Sequence, residues 1–120
     1  GIRRGFLRFP GARDPGALAE IKLAANDIEA AWRRGGGRRV NLDPGLLNLG
    51  QFVLATGKPA SHRVYVGRGI WAEVAYRFIG GGFQPLPWTY PDYREPAVTA
   101  FFNRLRSIYK EERKKRCSEA

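Results

Sequence analysis

Methionine is absent from this chain of 120 residues, and cysteine and histidine occur once each, as Cys117 and His62. A single thiol excludes an internal disulfide, and one histidine with one cysteine does not support a zinc site built from those ligands, so no metal is expected. No apolar run approaches the roughly 18 to 20 residues of a membrane-spanning helix. The arginine-rich start, Gly1 to Arg13, lacks the apolar centre of a signal peptide. These absences read as a protein free of the membrane, in a reducing cytoplasm. Two further motifs are missing. There is no Gly-x-Ser-x-Gly nucleophile elbow. The phosphate-loop pattern fails around Thr56-Gly57-Lys58, because Phe52 stands where a glycine is required and Pro59 follows the lysine. With no methionine and Gly1 as its first residue, the chain reads as a C-terminal fragment lacking an N-terminal portion.

What is present begins with charge. A net charge of +10 and a pI near 10.5 attract polyanions such as RNA, DNA or phosphorylated ligands. Most of these cations are arginines among abundant Ala, Gly and Pro, a bias that a GC-rich genome also produces. At 120 residues and 43% hydrophobic content the chain is a single domain, with a charged C-terminal tail over residues 110–120.

Asp14 as a cap, followed by Pro15, opens a helix that stops at Gly35-Gly-Gly37. Leu18, Ile21, Ala25, Ile28 and Trp32 form its apolar stripe, and Glu20, Lys22, Asp27, Glu29 and Arg33 its solvated face. Arg38 to Leu42 reads as a short strand. Asp43-Pro44 repeats the cap-and-proline signature and predicts a second, buried helix ending near Thr56-Gly57, with Asp43 explained as its cap or as a carboxylate ligand.

From Ser61 the pattern becomes alternating, with strands over His62 to Val66, Ile70 to Ile79 and Phe83 to Leu86. A three-residue loop at Gly67-Arg68-Gly69 sets Val66 opposite Ile70, Val64 opposite Ala72 and His62 opposite Val74. That register collects Val64, Val66, Ile70, Ala72, Val74, Tyr76 and Phe78 on a core face. It places Arg63 opposite Glu73 and Tyr65 opposite Trp71 on a second face that also carries Arg77. Pro85 to Arg94 is a proline-stiffened loop bearing Trp88, Tyr90, Asp92 and Tyr93, either a lid or a packed cover. Pro96 to Lys114 is a final helix. The expected fold is α+β, a small and mainly antiparallel β-meander against two or three helices.

The candidate ligand-binding residues are Lys58, Arg63, Arg68, Trp71, Glu73, Trp88 and Asp92, with cations for an anion and aromatics for a ring. His62 is the one candidate acid or base, or else a structural histidine. Arg63 and Glu73 are equally explained as a cross-strand ion pair.

The runs Asn41-Leu-Asp-Pro-Gly45, Ser61-His-Arg63, Gly67-Arg-Gly-Ile-Trp-Ala-Glu-Val74 and Pro85-Leu-Pro-Trp-Thr-Tyr-Pro-Asp-Tyr-Arg94 resemble the uncharacterised bacterial and archaeal proteins grouped as domain-of-unknown-function family 4416. The likeness covers nearly the whole chain from the Asp14 helix. It implies longer members at the N-terminus, no established activity, no agreed catalytic residues, and a GTP-binding label for some members. No cofactor is expected. Three readings follow: a domain binding a small phosphorylated or nucleotide-like ligand, an RNA-binding module, or a structural and interaction domain without a ligand.

Overall fold

The computed structural model describes residues 5–9, 14–36 and 41–119, with side chains described as far as residue 115. Two helices, α1 (Leu18–Arg34) and α2 (Pro96–Glu119), accompany five strands: β1 (Gly45–Leu47), β2 (Gln51–Thr56), β3 (Val64–Gly67), β4 (Ile70–Ile79) and β5 (Gly82–Pro85). All pairings are antiparallel, in the order β1-β2-β4-β3 with β5 also on β4. The fold is the expected α+β arrangement. Among the described residues no helix is long and apolar enough to cross a membrane.

Helix α1 starts where the sequence places it. The Asp14 side chain accepts a hydrogen bond from the Gly16 amide, and a 3-10 turn over Pro15–Ala17 leads into the helix. Leu18 and Ala19 then pack on Ala55 and Ile70, with Val53 and Ala72 beside them. The stripe is buried or half-buried as far as Ala25, whereas Ile28 and Trp32 beyond it are exposed. Lys22 and Glu29 are not simply solvated: Lys22 Nζ donates to the Leu42 carbonyl at 3.1 Å, and the Leu42 amide donates to Glu29. Those bonds hold Leu42, which lies outside any strand, against α1. The rest of the expected Arg38 to Leu42 strand, residues 38–40, lies outside the described residues.

The helix expected from Asp43 to Gly57 is instead the β1–β2 hairpin. Its turn is made by Asn48, whose Oδ1 accepts from the amides of Gly50 and Gln51 at 2.8 and 2.9 Å. The alternating burial of Phe52 and Leu54 against Val53 follows from period two, which the leucine-rich run had masked. Gly45 fits this geometry, because a Cβ there would stand 2.6 Å from the Phe52 ring. Asp43 therefore caps no helix; it precedes β1, 4.0 Å from Lys22 Nζ.

The β3–β4 hairpin keeps two of its expected partners, Val64↔Ala72 and Tyr65↔Trp71. At the turn Gly67, not Val66, faces Ile70, and Gly67, Arg68 and Gly69 all have positive φ. The two-residue turn is closed by a bulge, which glycine accommodates. Val64 and Val66 are not core residues: they are 68% and 42% exposed on the outermost strand.

A second irregularity lies inside β4. Phe52 faces Tyr76 while Val53 faces Val74, which leaves Ala75 as an extra residue. This bulge inverts the alternation. Before it, Ile70 and Ala72 face α1. After it, Tyr76 and Phe78 join Phe52, Phe83, Tyr93 and Phe102 on the α2 side, so the single expected core face is split between two cores. Tyr76 is fully buried and its hydroxyl donates to the Tyr93 carbonyl.

Along the edge of β4 away from β2, β3 pairs with Ile70 to Ala72 and β5 with Tyr76 to Ile79. Between them the carbonyls of Val74 and Ala75 accept from Trp88 Nε1 at 2.8 Å and Thr89 Oγ1 at 2.7 Å. The stretch from Pro85 to Arg94 thus substitutes for a missing strand segment, with side chains in place of backbone donors.

Candidate functional site

The residues at this break in the β4 edge form the chain's one buried charge cluster among those described. Glu73 is directly opposite Leu54 of β2, which packs against the aromatic core, and its carboxylate is 3% exposed. Burying a carboxylate requires partners. Two arrive from the segment leading into β3, and both contact the same oxygen. Arg63 Nε donates to Glu73 Oε1 at 3.0 Å, and His62 Nε2 lies 2.6 Å from that atom. Arg63 also donates through Nη1 to the Lys58 carbonyl at 2.8 Å, so its guanidinium is fixed at both ends. The His62 ring stacks on Trp88, with centroids 5.0 Å apart and planes at 21°.

Beside this cluster opens a cleft of about 240 Å³, lined by Glu73 and Arg63, by Asp43 and Thr56, and by Tyr90 and Tyr93. It holds polar groups of both signs and aromatic edges on an apolar floor of Leu54 and Ala55. Glu73 Oε2 makes no hydrogen bond among the described residues and is not a sealed, unpartnered atom. One oxygen of the carboxylate is therefore committed to holding the cluster together. No group of three or more His, Cys, Asp or Glu side chains among the described residues is placed to hold a metal ion.

The sequence-derived candidates divide accordingly. His62, Arg63, Glu73 and Trp88 come together in one network. Lys58 adjoins it through its carbonyl, is itself exposed, and does not line the cleft. Trp71 packs edge-on against Tyr65 and is bound to the hairpin instead, while Arg68 occupies the turn at φ 55 and does not line the cleft. Asp92 belongs to the 3-10 turn Pro91–Arg94 and does not line it either. Thr56 and Tyr93 escaped the sequence reading as site residues, and Asp43 was weighed there chiefly as a cap. Their shared signal was proximity in the β1–β2 hairpin and the proline loop, which a helical reading of residues 43 to 57 concealed.

No similar curated protein and no similar solved structure is found for the chain. A family model described as Domain of unknown function (DUF4416) matches residues 1–109, and the match lends no support to the expectation of a missing N-terminal portion. The match spans most of the 120 residues and includes every strand and every residue of the cleft. The chain belongs to the DUF4416 family.

Proposed function

We propose that the cleft beside Glu73 binds a small nucleotide-like ligand, with the base inside and the phosphates outside. The observation that carries this reading is the split use of the Glu73 carboxylate on a side chain that lines the cleft, with Oε1 held by Arg63 and His62 and Oε2 making no hydrogen bond among the described residues. The remaining oxygen of a buried carboxylate is a strong acceptor for an N–H donor at the edge of a purine or pterin ring. Tyr90 offers an exposed aromatic surface for that ring, and Thr56 a hydroxyl. Two carboxylates against one paired arginine make the interior unsuited to phosphate. The exposed Lys58, whose carbonyl accepts from the Arg63 side chain, suits it better.

The test is thermal unfolding of the protein with a panel containing guanosine, adenosine, their triphosphates and inorganic pyrophosphate. Ligand at a hundredfold excess over its Kd contributes about 2.7 kcal/mol, enough to raise the Tm by several degrees. Base-containing ligands are expected to raise the Tm, pyrophosphate alone is not, and the rise is lost in Glu73→Gln. A panel in which pyrophosphate stabilises as well as the nucleotides overturns the assignment of the base to the cleft. No shift from any nucleoside or nucleotide overturns the function itself.

A further inference from the structure

The geometry points to a second activity for the same cluster: we infer that His62, joined to the cleft residue Glu73 though not itself part of the cleft wall, is a proton acceptor with Nδ1 as its basic atom. It rests on the ligand cleft only for what it would act on, a ligand or water carrying an exchangeable O–H.

The argument begins with Glu73 Oε1. Arg63 carries a fixed positive charge and donates to this oxygen, so the group there is a carboxylate, which accepts and cannot donate. His62 Nε2 lies 2.6 Å from the same oxygen and must therefore carry the hydrogen. In a neutral imidazole the other nitrogen is then the lone-pair atom. Nδ1 makes no hydrogen bond to any described residue, yet it is not a sealed unsatisfied atom, and the side chain is 26% exposed. It therefore reaches solvent. Trp88, itself held by the Val74 carbonyl, stacks on the ring and favours this orientation of the imidazole.

A carboxylate behind an imidazole fixes the tautomer and stabilises the imidazolium that forms when the outer nitrogen takes a proton. The step is balanced. A proton leaves the O–H of the ligand or of water for Nδ1, the new positive charge faces Glu73, and the same proton returns to that oxygen or to solvent. Glu73 and Arg63 are positioning residues in this arrangement.

Because the chain holds one histidine, the assignment is unambiguous. In the full-length, 15N-labelled protein at pH 8, two-bond proton–nitrogen correlations should show a hydrogen on Nε2 and a bare Nδ1. The reverse tautomer, or an even mixture, overturns the inference. Diethyl pyrocarbonate at the same pH should acylate His62, and Glu73→Gln should slow that reaction at least about tenfold, the scale of one charge-assisted hydrogen bond. An unchanged rate in folded Glu73→Gln overturns it as well. Should that variant fail to fold, the tautomer of the unaltered protein still decides. Neither measurement needs a ligand, so a cleft that binds no nucleotide would overturn the proposed function and leave this inference standing.

Discussion

At the scale of single residues, Tyr76 shows how the core constrains chemistry. Burial pushes its phenol above the ordinary value of 10.0, and the hydrogen bond with Thr99 pulls the other way. The folded state therefore holds this proton after the unfolded chain has released its own. Stability from this group is fully present below pH 10 and falls as pH rises above it, by up to about 1.4 kcal/mol per pH unit. Urea unfolding between pH 9 and 11 should show this loss, and Tyr76→Phe should flatten that part of the profile. A variant with the same slope as the parent would mean that Tyr76 does not titrate in this range. Glu73 makes the complementary point. Its pairing with Arg63 was legible in the sequence because strand register alone places the two opposite each other. The bond to His62 was not legible, since period two set His62 opposite Val74. His62 in fact lies in the turn before β3, where the alternation of a strand no longer dictates where a side chain goes.

At the scale of elements, legibility follows from how many patterns compete for one stretch. The β3–β4 hairpin was readable because two glycines flank its turn and the residues on either side alternate. The β1–β2 hairpin was hidden, since Leu46, Leu47, Leu49, Val53 and Leu54 satisfy a helical repeat as well as a strand's, and Asp43-Pro44 imitates a helix start. The Pro85 to Arg94 loop was recognised as a stiff aromatic cover, but its role as a substitute for strand pairing depends on atoms that no periodicity encodes. Thr89 is its key residue: buried, it donates to the Ala75 carbonyl and accepts from the Leu86 amide at 2.8 Å. Thr89→Val keeps the shape and removes both bonds. It should lower stability by about 1 to 3 kcal/mol in chemical denaturation, the cost of leaving buried polar groups unmade. A change below 0.5 kcal/mol on this order-of-magnitude scale would show that the loop is held chiefly by its aromatics.

At the scale of the whole molecule, the dominant fact is the charge of +10. The described ion pairs absorb little of it, and several involve exposed partners. Self-repulsion on this scale destabilises a compact state and is screened by salt. Raising sodium chloride from low concentration to physiological ionic strength is therefore expected to raise the Tm in the absence of any ligand. A flat or falling Tm would mean that the surface charges are already compensated. The same experiment gives the baseline for the ligand panel, because a polyanion that merely neutralises charge would mimic the effect of salt, and a nucleoside would not.

The extra residue at Ala75 changes how the cleft beside Glu73 is written in this chain's sequence. In an unbroken strand, side chains sharing one side of a sheet are separated by even numbers of residues. Glu73 and Tyr76 stand three apart, yet the cleft of the first shares Leu54 and Tyr93 with the core of the second. The inserted residue changes the reading frame of β4 midway, so the polar half and the aromatic half of one strand are spelled in different phases. Glu73 thus stands two residues before the joint, so any displacement of its side chain is delivered next to the point where the two frames meet.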